Sequence, residues 1–343
     1  MAETSFQAAV DRFLEHFEHG KNRSKRTVEA YRLALTRLAE YMGDTDPLTC
    51  NHDDLVMFAG KWLFDRHVSA NARRPYVAAL RTFFKWASGP ARLISRNPAG
   101  SLDYPKKSKT IPLQLTLENA EKILHKPDLD SFKGLRDSAI MHVLIGCGVR
   151  VTALAGINEG DFVNDRIAGE PRVLVRIRTK GDQEEIKILP QQADLVVRMY
   201  LAHPQMQAID RTIKSGRFKG DKVVFIQTGS SKLPADQFNG ESRRMSRQAV
   251  LKMIKGYGRK ADIPENQLHP HAMRHLFGTE LVESDVHMKR VQDAMGHSDP
   301  KSTAIYLHLA QAKMAKEIDR ANPLAKISTP ISQFLDRLNK PGK

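Results

Sequence analysis

The chain opens on a helical rhythm: Phe6, Val10, Phe13, Leu14 and Phe17 recur at three- and four-residue intervals among polar neighbours, which predicts an amphipathic helix. Acidic residues interrupt the same stretch, so it does not read as a signal peptide. "SKRTVEAYRLALTRLAEYMGD" repeats apolar residues at Val28, Tyr31, Leu35, Leu38 and Met42, predicting a second helix with Ser24 or Thr27 as cap and Gly43 as its end. "SANARRPYVAALRTFFKWAS" predicts another, capped by Ser69 or Asn71, with Val77, Leu80, Phe83 and Phe84 facing inward. Its opposite face carries Arg73, Arg74, Arg81 and Lys85, a basic stripe beside an apolar one.

The rhythm breaks at "RNPAGSLDYPKKSKTIPLQLT", where Pro98, Gly100, Pro105 and Pro112 end helices and Lys106, Lys107 and Lys109 add charge. An extended basic linker is predicted there. Beyond it, "TLENAEKILHK" reads as a helix capped by Thr116, and "LRDSAIMHVLIGCG" as a buried helix ended by glycines. "RVLVRIRTKGDQEEIKILP" changes period: Val173, Val175 and Ile177 alternate, a Lys-Gly-Asp turn follows, and Ile186 and Ile188 resume. That is a β-hairpin with Lys180 near its tip. "DKVVFIQTG" predicts one more short strand before helices resume near Ser246. At the end, Pro330 begins a short helix whose stripe of Ile331, Phe334, Leu335 and Leu338 needs a groove, its own or a neighbour's.

These elements make the fold mainly α with a small β-sheet (α+β). A length of 343 residues favours two domains, each large enough for a core. Cys50 and Cys147 stand far apart with no metal-like spacing, which suits a reducing, cytoplasmic setting. No apolar run is long enough to span a membrane, so no membrane partner is expected. Charge changes the picture most. Lys and Arg number 54 against 39 Asp and Glu, a net +15, which favours a polyanion and above all nucleic acid. Basic residues exceed acidic ones both before and after Lys107, as two regions touching one long polyanion would require.

Three separated stretches then supply residue types suited to phosphoryl chemistry. "GCGVRVTAL" sets Arg150 after a glycine break at a helix start; "HPHAMRHLFGTEL" sets His271 and Arg274 on one helix face; "MGHSDPKSTAIYLHL" sets His297 nine positions before Tyr306. Taken singly, each has a plainer reading. Arg150 and Lys180 are ordinary surface types, and a helical tyrosine is usually a core aromatic. His269, His271 and His275 also suggest a metal site, although no H-E-x-x-H arrangement accompanies them and Arg274 would set a positive charge beside the ion.

The ordered set Arg150, Lys180, His271, Arg274, His297 and Tyr306 resembles the tyrosine recombinase (integrase) family, nearest its Xer and phage-integrase branch. The resemblance covers most of the chain, including "RRPYVAALRTFFKWA" and "NPAGSL…PKK". It implies a helical core-binding, SAM-like domain over 1–104, a basic linker over 105–112, a catalytic domain over 113–325 and a C-terminal helix and tail over 326–343, together forming a clamp around DNA. It also implies the roles. Tyr306 would attack a DNA phosphodiester to give a 3′-phosphotyrosyl link and a free 5′-hydroxyl. Arg150 and Arg274 would hold the non-bridging oxygens, Lys180 would protonate the leaving 5′-oxygen, His271 would handle the tyrosine proton and His297 would bond the phosphate. Neither metal, ATP nor other cofactor is then required.

The implied partners are a double-stranded recombination site, a homotetramer on synapsed DNA with the terminal helix docked in a neighbour, and accessory DNA-bending proteins. Candidate DNA contacts are Lys25, Arg26, Arg73, Arg74, Arg81, Lys85, Lys106, Lys107, Arg243 and Arg244. Two departures stand out: Ala153 occupies the position, three after Arg150, where the family carries an acid, and Cys147 sits where a threonine is common; separately, Lys187 competes with Lys180 as the hairpin lysine. The alternatives are DNA relaxation of the type IB topoisomerase kind, or a regulator that keeps the fold without catalysis.

Overall fold

The computed structural model describes residues 5–20, 25–106, 115–167, 169–179, 183–230, 233–284, 286, 290, 294 and 317–339. The chain divides into two compact units, Met1–Ile111 and Pro112–Lys343.

In the first unit, α1 (Phe6–Glu15) is capped by Ser5, whose hydroxyl accepts from the Ala8 amide at 3.3 Å. Helix α2 (Lys25–Met42) stops at Gly43, the end the sequence predicted, and Gly43 takes the left-handed conformation. Next come α3 (His52–Met57), with a capping box between Asn51 and Asp54, and α4 (Ala70–Ser88). Ser69, not Asn71, caps α4 through its bond to the Ala72 amide. The core between them is aromatic. Phe13 meets Phe83 edge-on at 5.3 Å and stacks on Tyr31, and Phe58, Leu35, Leu38 and Leu80 fill the rest.

The second unit begins with α5 (Leu117–Leu124), capped by Thr116 as predicted, and α6 (Phe132–Cys147), capped by Ser131. Helix α6 is buried on nearly every side, so it shows little amphipathic contrast, and it packs against the sheet and four other helices. After the short α7 (Val151–Ala155) the chain forms an antiparallel sheet in the order β1 (Phe162–Ile167), β2 (Glu170–Arg178) and β3 (Glu184–Leu189). The fold class is as the sequence implied: mostly helical with one small three-stranded sheet.

Two readings of pattern change here. The hairpin exists, but its inward face holds Val173, Val175 and Ile177 on β2 and Lys187 and Leu189 on β3, while Ile186 is exposed. Ile188 instead joins Leu174, Ile167 and Ile318 in a small cluster on the other face. The second difference lies at "DKVVFIQTG", which does not form a strand ladder. Val223, Lys222 and Ile226 bridge three different partners, so pairing never propagates, although Val223 to Ile226 are fully buried.

Helix α8 (Gln191–Ala202) follows the sheet, then α9 (Arg247–Lys260) and α10 (Pro270–Glu283). The terminal α11 (Pro330–Asn339) begins at a proline and is capped by Thr329, whose hydroxyl accepts from the Ser332 amide at 3.0 Å. It packs against α8 of its own chain: Ile331 is 1% exposed in the main core, while Phe334 on the same helix is 42% exposed.

Candidate active site

Gly148 organises the site. It ends α6 with φ +58°, and a Cβ there would stand 2.3 Å from the Phe277 ring of α10. Only glycine meets both demands without strain. The sharp turn delivers Arg150 two residues later as the N-cap of α7, and the Gly148 carbonyl accepts a hydrogen bond from the Arg274 guanidinium. One peptide group thus fastens Arg274 to the turn from which Arg150 follows.

On α10, Pro270 occupies the first turn and His269 caps the helix, its Nδ1 accepting from the Ala272 amide at 2.9 Å. That bond takes the lone pair a metal would need from this nitrogen. Among the described residues no group of three or more His, Cys, Asp or Glu is placed to hold a metal ion. Arg274 is 6% exposed, whereas His271, three residues earlier, is open to solvent. Burial and the charge of Arg150 lower Arg274 to about 10, still fully protonated at neutral pH, and Glu185 opposes the shift. Partial burial lowers His271, and the neighbouring His269, His275, Arg274 and Arg150 act in the same direction. The neutral imidazole this favours is the form that accepts a proton.

Helix α7 is short, and its far end is held by Arg244. That guanidinium donates to the carbonyls of Ala155 (2.7 Å) and Ile157 (3.3 Å), to Asn158 Oδ1 (2.7 Å) and to both oxygens of Glu241 (2.6 and 2.8 Å). All five of its N–H donors are engaged within the protein. Ala153 faces the core from α7, 6% exposed, so no carboxylate follows Arg150 along this helix.

Lys187 enters from β3. Its ammonium is buried, 2.9 Å from Glu185 Oε2 and 2.8 Å from the carbonyl oxygen of Ala294. Burial is the main influence lowering its affinity for a proton, with Arg274 adding to it and Glu185 countering it. Cys147, beside it, is pushed up to about 12 by burial and stays a thiol. Glu185 went unread in the sequence because the alternation of Ile186 and Ile188 points to the other face. An inward-facing Glu-x-Lys pair was the available signal.

The structure therefore gathers Arg150, His271 and Arg274. Lys180, His297 and Tyr306 lie outside the described residues, as do Lys107 and the side chain of Lys25. Among the other candidate DNA contacts, Arg26, Lys85 and Lys106 are exposed. Three belong to a fastening of the first unit. Arg73 donates to Gly60 O (3.0 Å), Arg74 to Pro105 O (2.6 Å) and Arg81 to Leu102 O (2.8 Å), and the latter two flank the Tyr104 ring. Arg243 lies over the Phe238 ring at 4.5 Å. No helix among the described residues is long and apolar enough to cross a membrane.

A mainly helical basic chain that sets two arginines and a neutral histidine together defines a protein built to handle phosphate groups. The chain belongs to the phage integrase family, the tyrosine recombinases: residues 114–313 match that family and residues 10–89 match the phage integrase N-terminal SAM-like domain. It is 28% identical to the tyrosine recombinase XerD of Listeria monocytogenes serotype 4b (strain F2365) over 322 residues, spanning 92% of this chain and 99% of that one. With XerD of Staphylococcus aureus (strain Mu50 / ATCC 700699) the identity is 28% over 321 residues, 93% of this chain and 100% of that one. In fold it is similar to the XerH site-specific recombinase bound to palindromic difH substrate in a post-cleavage complex. That match has a TM-score of 0.62 and 16% identity and covers 91% of this chain and 82% of that one. It is also similar to a lambda integrase tetramer bound to a Holliday junction, with a TM-score of 0.60, 13% identity and coverage of 93% and 79%.

Proposed function

We propose that the protein is a site-specific DNA recombinase that cuts and rejoins duplex DNA through Tyr306. The observation that carries this reading is the pairing of Arg150 and Arg274 about the Gly148 turn. Arg150 and Arg274 act on each other as like charges, and a pentacoordinate phosphate dianion between them would offset that repulsion, so the pair favours the transition state of phosphoryl transfer. Tyr306 attacks phosphorus, the bond to the 5′-oxygen breaks, and a 3′-phosphotyrosyl link and a 5′-hydroxyl result. His271, kept neutral by its surroundings, takes the tyrosine proton, and Lys180 gives a proton to the departing oxygen. His297 bonds the phosphate. Religation reverses these steps, since the covalent bond conserves the energy of the phosphodiester.

No metal ion or nucleotide enters that scheme. The reaction acts on two sites and therefore on several protomers, which supports a homotetramer on synapsed DNA, the assembly named for the lambda integrase relative. Both basic units supply side chains to one duplex, the N-terminal unit through exposed Arg26, Lys85 and Lys106, and accessory DNA-bending proteins are compatible partners. The family match along both domains disfavours relaxation alone and a non-catalytic regulator.

A nicked duplex, from which the short 5′-hydroxyl product escapes after cleavage, tests the reading. Incubated in EDTA without ATP, the wild type should accumulate a covalent protein–DNA adduct, and Tyr306→Phe should form none. A substrate with sulfur at the bridging 5′ position has a leaving group that needs no proton, and should restore cleavage by Lys180→Ala. An adduct that survives Tyr306→Phe would refute the assignment. Sequencing the trapped DNA identifies the site.

A further inference from the structure

We propose that Glu185 and Lys187 are a positioning pair for the cleavage site: Lys187 ties β3 to the carbonyl of Ala294, and Glu185, paired with Lys187, sets a carboxylate whose charge bears on Arg274, the partner of Arg150. The inference rests on the role proposed above for those arginines. Along β3 the two residues are separated by one, so they share a face, and their register partners on β2 are Ile177 and Val175. Both partners are buried in the main core. An apolar pair would fill these positions with no desolvation cost, whereas a buried ion pair contributes little to stability and often less than hydrophobic residues of similar size. The value of this pair lies in what it holds.

Each partner holds something specific. Lys187 donates to Glu185 Oε2 at 2.9 Å and to Ala294 O at 2.8 Å, and Ala294 precedes His297 by three residues in the chain. With its side chain only 8% exposed and its ammonium engaged on two oxygens, Lys187 is committed to this tether and is not presented to a departing hydroxyl. Glu185 faces the opposite problem. Arg150 and Arg274 bear on each other as like charges, Lys187 adds a third, and Ala153 brings no acid from α7. Glu185 is the carboxylate whose charge reaches both Arg274 and Lys187. It balances the cluster before DNA arrives and lets the guanidinium groups stand ready at short range.

The test uses the full chain and the nicked duplex. Glu185→Gln retains volume and an acceptor for Lys187 while removing the charge; Lys187→Met removes the tether. At saturating DNA, the single-turnover rate of adduct formation should fall about 10- to 100-fold in each, with DNA affinity close to wild type; the melting temperature should stay close to wild type in Glu185→Gln and drop in Lys187→Met, which leaves Glu185 without its partner. The double variant should be no slower than the slower single variant, because the two act as one unit. The 5′-thio substrate should not restore Lys187→Met, since a misplaced phosphate pocket is not cured by a better leaving group. Wild-type rates in Glu185→Gln would overturn the proposal, as would rescue of Lys187→Met by sulfur, which would make Lys187 the proton donor. If Lys187→Met does not fold, Glu185→Gln and the double variant carry the test. Absence of an adduct with the wild type would instead refute the recombinase reading itself.

Discussion

The guanidinium of Arg274 donates to the carbonyl of Gly148, and so a helix end and a buried arginine on another helix are fastened through one peptide group. Arg150 follows two residues later. The relationship makes Gly148 a more sensitive position than either arginine for the integrity of the site. In Gly148→Ala, the left-handed backbone costs about 1 to 2 kcal/mol and the contact of Cβ with Phe277 adds about 1 to 3. Chemical denaturation should show the loss. Gly148→Ala with Phe277→Leu should recover the packing part alone, and equal stability of the single and double variants would remove this account.

Arg244 gives a second prediction, since all its donors are used within the protein, on the far end of α7, Asn158 and Glu241. Arg244→Lys keeps the charge but loses the planar fork, and should destabilise the protein by about 1.5 to 3 kcal/mol. The salt dependence of DNA binding should stay unchanged. Lys85→Ala, at an exposed position on α4, should behave in the opposite way, with normal stability and a salt slope reduced by about one phosphate contact. A reduced slope in Arg244→Lys would show that this guanidinium reaches DNA.

His142 predicts a pH effect. It is fully buried on α6, its Nδ1 donates to Ser138 O at 2.8 Å, and its Nε2 has no hydrogen-bond partner among the described residues. Burial lowers it from 6.5 to about 4. Between those values the unfolded chain binds a proton that the folded chain does not, so stability is complete above pH 6.5 and declines as pH falls toward 4. The loss from pH 7 to pH 5 should be about 2 kcal/mol from this group. His142→Leu should lose that much less over the same interval, measured by denaturant melts at both values.

The terminal helix separates two roles. Removing residues from Thr329 onward takes buried Thr329 and Ile331 out of the core, so truncation should lower stability as well as any assembly. Phe334→Ser changes only an exposed position, 42% accessible, and should alter stability by no more than about 0.5 kcal/mol. If the exposed stripe docks in a neighbour, strand exchange should drop while binding to a single site persists. Unchanged strand exchange would mean that α11 serves its own chain alone.

Periodicity and local chemistry made much of this protein readable from its residues. Helical spacing placed the aromatic core of the first unit, Thr116 and Gly43 marked helix ends, and the order of Arg150, His271 and Arg274 pointed to phosphoryl chemistry. These are local signals: caps, glycines and repeats act within a few residues, where a sequence is explicit. The second unit's sheet was another matter. A two-residue period says which side chains share a face but not which face meets the core, and only packing against α6 turned Lys187 inward and left Ile186 in solvent. The same holds for Arg244. As a sequence it is one more basic residue, and the tertiary structure alone, by closing five donors onto Glu241, Asn158 and the end of α7, made it a support for the segment that begins at Arg150.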